Sequence, residues 1–162
     1  LKHIDRIEGI VKRMLGLAKE KAKNYTDIDL NEVIENTLMF FAFEHTLVKK
    51  ELNGVPLIKG DQGELQEVFV NLIQNALEAM SGDGELTLKT YTEAGRAAAE
   101  ITDNGKGIPA EIREKIFDPF FSTRHEGAGL GLSIVYRIVR ENGGEIKVES
   151  EVGRGTTMKL TF

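Results

Sequence analysis

Apolar side chains recur along the chain with two different periods, and the places where the period changes mark out its elements. Residues 1–23 carry Ile4, Ile7, Val11, Met14 and Ala18 at alternating spacings of three and four, and Leu1, Ile10, Leu15 and Leu17 widen the stripe. That spacing lines one helix face in the manner of a coiled-coil seam, while Asp5, Arg6, Lys12, Arg13 and Lys19 fill the other faces. The stripe suits a helix lying on a domain core or one half of a helical hairpin, and its width at a chain terminus favours the hairpin. Residues 24–29, beginning Asn24-Tyr25-Thr26-Asp27, read as a linker. Asp29 is placed to N-cap a helix from Leu30 to about Glu44, carried by Val33, Ile34, Thr37, Leu38 and Phe41. Asn53-Gly54 predicts a hairpin turn between two short strands within residues 49–59.

The strongest helical period follows. Asp61 caps a run through Met80 that places Leu65, Val68, Phe69, Leu72, Ile73, Ala76 and Leu77 on one face, and Ser81-Gly82-Asp83-Gly84 breaks it. Alternation then predicts strands over residues 85–92 and 97–102, joined by a turn at Glu93-Ala94-Gly95. Residues 104–127 are irregular, with a short helix near 110–116. A helix from Leu130 to Glu141 stops at Asn142-Gly143-Gly144. Two last strands, 145–150 and 156–162, flank Val152-Gly153-Arg154-Gly155. Helices set against strands in this order make an α+β two-layer sandwich with a mixed, mostly antiparallel sheet, preceded by a long N-terminal helix.

Composition narrows the function. With 162 residues, 41% hydrophobic and 29% charged, the chain is long enough for one packed domain plus an appendage. A formal charge of -5 argues against nucleic acid as a partner. No apolar run approaches the ~18 residues of a membrane span, so membrane contact by this chain is not expected. With 0 Cys, disulfides and thiolate metal sites are excluded. The start at Leu1, on a periodic helix, suggests a piece of a longer protein.

Asn71 and Asn75 are four apart and share a helix face. A neutral amide oxygen suits Mg²⁺ already bound to a triphosphate, where a carboxylate would add charge beside the phosphates. Two helical asparagines are equally a solvated surface. Asp103, at a strand end in DNGKGIP, can accept a hydrogen bond from an exocyclic amine, and Gly105 and Gly107 would let a flat base approach the backbone. A plain tight turn competes with that reading; a calcium loop fails on its ligand offsets. Gly127, Gly129 and Gly131 precede a helix, where backbone N–H groups attract phosphate oxygens. Their spacing fits neither a dinucleotide fingerprint nor a P-loop. Phe117, Phe120 and Phe121 are either core or the anchors of a mobile lid, and Lys106 and Arg124 are candidate phosphate cations or solvated loop residues.

In order, NLIQNALEA from Asn71, DNGKGIP from Asp103, FDPFF from Phe117, GAGLGLS from Gly127 and GRGT from Gly153 resemble a known set of boxes. These are the asparagine, first glycine, phenylalanine and second glycine boxes and the closing glycine pair of sensor histidine kinases. The match is to the catalytic and ATP-binding domain, within the GHKL ATPase superfamily, and covers about residues 30–162. The resemblance implies a Bergerat-type ATP-binding fold and the cofactors ATP and Mg²⁺. It puts Asn75 on the metal, Asn71 and Arg124 with it as catalytic groups, and Asp103 on the adenine amino group with Thr156 in support. It adds Gly105, Lys106, Gly107, Ile108, Phe117 and Phe120 as nucleotide contacts. Gly127, Gly129, Leu130, Gly131 and Leu132 complete the set, with a lid over about residues 106–127.

Superfamily members that hydrolyse ATP carry Glu one turn before the metal-binding Asn. Here that position is Asn71, and Glu67 lies a further turn away. The resemblance therefore implies transfer to a side chain. The stripe in residues 1–23 is similar to the second helix of the dimerisation and phosphoacceptor hairpin, through which the parent kinase would form a homodimer. None of the three histidines fits the acceptor: His3 precedes Ile4, His45 precedes Thr46, and His125-Glu126 lies in the lid. The implied reaction moves the γ-phosphate of ATP to a histidine outside the chain, then to a response-regulator receiver aspartate. The implied location is cytoplasmic, with or without a membrane anchor in the parent. The alternative is a GHKL-type serine kinase or ATPase domain.

Overall fold

The computed structural model describes residues 24–81, 83–123 and 129–162. The expected hairpin helix of residues 1–23, Arg124 and Gly127 lie outside the described residues.

Strand β1 (Tyr25–Ile28) leads into helix α1 (Leu30–Leu38), strands β2 (His45–Leu52) and β3 (Ile58–Asp61) and helix α2 (Gln62–Ala79). Strands β4 (Asp83–Glu93) and β5 (Arg96–Asp103) precede a single 3-10 turn (Ala110–Ile112), helix α3 (Gly131–Glu141) and strands β6 (Glu145–Glu151) and β7 (Gly155–Thr161). Five strands form one sheet in the order β2-β4-β5-β7-β6; β2–β4 is parallel and the other pairs are antiparallel. The predicted two-layer α+β sandwich is the observed one.

The two aspartate caps form as the sequence predicts. Asp29 accepts from the Asn31 N–H at 2.8 Å and Asp61 from the Glu64 N–H at 3.0 Å. Alternation along β4 and β5 turns Leu86, Leu88, Ala97, Ala99 and Ile101 toward the helices, where Leu65, Val68, Phe69 and Ile73 of α2 are fully buried. Each large apolar side chain buried there contributes about 1.5–3 kcal/mol. On the opposite face Lys49–Glu85 and Lys159–Glu93 form exposed ion pairs, typically worth about 0.2–1 kcal/mol each. The inner face therefore sets the register.

Four local expectations change. The linker contains β1, which pairs antiparallel with β3 from Tyr25↔Asp61 to Ile28↔Ile58. The helix predicted to reach Glu44 ends at Leu38, because the Phe40 and Phe41 N–H groups bond to the Thr37 and Leu38 carbonyls and tighten the last turn. Phe41 and Phe43 then pack with their rings 6.1 Å apart instead of continuing the helix. Asn53-Gly54 does not close a hairpin, since β2 and β3 belong to different sheets. The Asn53 N–H donates to Thr90 Oγ1 and its Nδ2 to the Thr90 carbonyl at 2.8 Å, which ties the turn to β4. Pro56 also lacks the N–H a returning strand would use. Lastly, the helix predicted near 110–116 shrinks to the 3-10 turn. Among the described residues, no helix is long and apolar enough to cross a membrane.

Candidate nucleotide site

The register aligns one residue from each of four strands in a row across the end of the sheet. Leu86 of β4 faces Asp103 of β5, Asp103 faces Thr156 of β7, and Thr156 faces Ser150 of β6. Directly paired residues project to the same face, so this row changes from apolar to polar as it crosses the sheet. Asp103 is only 7% exposed, which makes it the carboxylate to explain. Its Oδ1 accepts the Gly105 N–H at 2.9 Å, and the Thr156 backbone N–H also acts on the carboxyl group. Burial pushes its carboxyl above the ordinary aspartate value, and the two N–H donors oppose that rise.

The loop after Asp103 is wedged between α2 and the β6–β7 turn. The Lys106 N–H donates to the Ala79 carbonyl at 3.1 Å, and the Lys106 carbonyl accepts from the Gly153 N–H at 2.9 Å. A Cβ on Gly105 would meet the Ala79 carbonyl carbon at 2.6 Å, and one on Gly107, at φ +70°, would overlap the Glu151 carbonyl. The first effect of these glycines is thus close approach of the chain to itself. The Lys106 side chain is exposed, whereas Ile108 is half-buried and packs on the core.

Asn71 and Asn75 occupy one half-buried face of α2. Asn71 Nδ2 donates to the Glu67 carbonyl at 2.8 Å, which turns Oδ1 toward the start of α3. A Cβ on Gly131 would lie 2.9 Å from that oxygen, so glycine admits Asn71 there. No side-chain hydrogen bond engages Asn75 among the described residues. Leu130 is buried at the N-cap of α3 and supplies no side-chain cap, and among the described residues no side chain caps the first-turn N–H groups, an arrangement suited to an anion. Leu132 packs against the core.

The three lid phenylalanines separate. Phe117 stacks 5.6 Å from Tyr136 of α3, and Phe121 is partly buried on the core. Phe120 is 63% exposed with φ +66°, a conformation that costs a non-glycine residue roughly 1–3 kcal/mol. Its N–H donates to the Gly129 carbonyl at 2.9 Å, and a Cβ on Gly129 would strike the Phe120 carbonyl carbon at 2.5 Å. Backbone contact therefore joins Phe120 to Gly129.

Sequence reasoning missed Ser150. Its hydroxyl contacts the Ile108 N–H, the Gly155 carbonyl and Thr156 Oγ1, each at 2.8 Å. The available signal was a hydroxyl at the inward phase of Ile146 and Val148. It also missed Arg113, which lines an open depression with Asp103, Ser150, Thr156 and Arg154. Among the described residues, no group of three or more His, Cys, Asp or Glu could hold a metal by itself.

A model of histidine kinase-, DNA gyrase B- and HSP90-like ATPases matches residues 60–162. Sporulation kinase C of Bacillus subtilis is 36% identical over 166 residues, covering 98% of this chain and 39% of that protein. The structure of the mycobacterial sensor histidine kinase MprB superposes with a TM-score of 0.77 at 27% identity, over 86% of this chain and 97% of that one. Histidine kinase ThkA, solved in complex with the response regulator protein TrrA, superposes with a TM-score of 0.82 at 29% identity, over 99% and 48%. The chain spans well under half the length of the curated relatives it matches. It belongs to the histidine kinase-, DNA gyrase B- and HSP90-like ATPase family, as a catalytic domain of the sensor histidine kinase type.

Proposed function

We propose that this domain binds Mg-ATP and donates its γ-phosphate to a histidine on a dimerisation hairpin, for onward transfer to a response-regulator aspartate. The observation that carries the reading is Asp103, a buried carboxylate held by two backbone donors at the end of the sheet. Its remaining lone pairs suit the 6-amino group of adenine, and Thr156 supports that contact. At the other end, the uncapped start of α3 attracts phosphate oxygens, with Asn71 beside it. Gly105, Gly107 and Ile108 shape the base side, and Gly127, Gly129, Leu130, Gly131 and Leu132 the phosphate side. Phe117 and Phe120 hold the lid between them, and Lys106 and Arg124 bring positive charge.

The donor set fits Mg²⁺ that arrives with the triphosphate. Asn75 offers one neutral oxygen that no side-chain hydrogen bond engages among the described residues, and Mg²⁺ needs few protein ligands. When bound, the ion neutralises charge on the phosphates. Asn71 is an amide and cannot take a proton from water, while Glu67 is exposed a turn further along. Hydrolysis is therefore slow, and the chain's contribution is positioning and electrostatics. The nucleophile comes from outside the described residues. The homodimer, formed through residues 1–23, and the cytoplasmic location belong to the same reading. The ThkA–TrrA complex supports the response-regulator partner.

The test supplies a histidine-bearing dimerisation hairpin with ATP labelled at the γ-phosphate. Acid-labile, alkali-stable label on the hairpin is expected. Acid-stable label on serine, or no transfer despite ATP binding, would replace this reading with the serine-kinase or ATPase one.

A further inference from the structure

Ser150 lies outside the boxes, yet it joins three parts of the site. Its oxygen lies 2.8 Å from the Ile108 N–H, at the exit of the loop that begins with Asp103. It lies equally close to the Gly155 carbonyl on β7 and to Thr156 Oγ1. Counting protons assigns the direction of each bond. A serine hydroxyl has one hydrogen and two lone pairs. The Gly155 carbonyl can only accept, so the Ser150 hydrogen goes there. The Ile108 N–H can only donate, so it takes one lone pair. The contact with Thr156 must then run from the threonine hydroxyl to the remaining lone pair of Ser150.

Thr156 has thus committed its only hydroxyl hydrogen to Ser150. Both of its oxygen lone pairs remain, and it stands directly opposite Asp103 in the sheet. Asp103 as a carboxylate also only accepts. The side chains at this end of the row consequently present acceptors alone.

We propose that Ser150 is a positioning residue for base selectivity: by holding the Thr156 hydroxyl proton, it leaves the wall formed by Asp103 and Thr156 with acceptor lone pairs alone. Such a wall suits the 6-amino group of adenine and opposes the 6-oxo group of hypoxanthine. This rests on the reading of Asp103 and Thr156 as the base contact. Once Ser150 loses its hydroxyl, the Thr156 O–H is free to rotate and donate to a 6-oxo group. One neutral hydrogen bond regained corresponds to about fivefold in affinity.

The experiment measures dissociation constants for Mg-ATP and Mg-ITP by calorimetry on the whole chain, the Ser150→Ala and Thr156→Val variants and the double variant. Wild type is expected to prefer ATP, and Ser150→Ala to narrow the ATP/ITP preference about fivefold. Ser150→Ala should change nothing further in the Thr156→Val background, and Ser150→Thr should restore the wild-type ratio. Ser150→Cys is nearly isosteric but a poor acceptor, and is expected to narrow the ratio in the same direction; it serves where Ser150→Ala does not fold. A merely structural role, through Ile108, predicts equal losses for both nucleotides that persist without the Thr156 hydroxyl. That result overturns the proposal. A wild-type chain indifferent between ATP and ITP overturns the base-contact reading itself and takes the proposal with it.

Discussion

The two ends of the site are built on opposite terms. At the base end, Asp103, Thr156 and Ser150 sit on paired strands, and the Asp103 carboxylate and Ser150 hydroxyl are engaged by named partners within the domain. At the phosphate end, Asn75 makes no side-chain hydrogen bond among the described residues, and α3 begins without a side-chain cap. The first arrangement is complete before a ligand arrives, so it can discriminate without moving. The second leaves donors and an acceptor open, and a charged ligand completes it. On the proposed reading, selectivity belongs to the sheet, and response to the triphosphate belongs to the helix ends.

The sharpest way to break this contrast is at Gly155, whose φ is +109° and where a Cβ would overlap the Asp103 carbonyl. Gly155→Ala is expected to destabilise the domain by about 3 kcal/mol, read as a lowered urea midpoint with ATP binding lost in parallel. Asp103→Asn separates binding from folding. Its amide oxygen still accepts the Gly105 N–H, but its NH₂ group opposes the adenine amine. Calorimetry should show ATP affinity falling about 10- to 100-fold, the loss of one charged hydrogen bond, with no loss of stability at neutral pH. At the other end, Asn75→Ala should remove the Mg²⁺ dependence of ATP binding, measured with and without chelator. Its cost to stability should stay within about 0.5 kcal/mol, since no side-chain hydrogen bond among the described residues is lost.

The smallest effect is the most specific to the base end. The Asp103 carboxyl is raised by burial, so between the ordinary aspartate value and its raised one the folded state binds more protons than the unfolded state. Its stabilising contribution is full below the ordinary aspartate value and is lost as pH rises through the raised one. Urea titrations of the nucleotide-free domain across that interval should show this slope in wild type and not in Asp103→Asn. ATP affinity should run the other way, weakening as pH falls and Asp103 takes a proton.

How far the sequence could be read follows the same division. Asp29, Asp61 and the stripe on α2 were legible because caps and helical period act within a few residues. The boxes were legible for the same reason, each being a short local run. Strand β1 was not, since of its four residues only Ile28 is buried and no alternation shows. The Asn53-Gly54 turn misled because its outcome is decided at Thr90, far along the chain. Ser150 stayed hidden because its role exists only once β5, β6 and β7 are in register. The left-handed Phe120 carries no local signal, because the contact with Gly129 imposes it.

That last contact has a consequence for how such domains can vary. The Phe120 N–H meets the Gly129 carbonyl at 2.9 Å, and a Cβ on Gly129 would strike the Phe120 carbonyl carbon. Position 120 therefore tolerates glycine, which removes the cost of φ +66°, while position 129 tolerates no side chain.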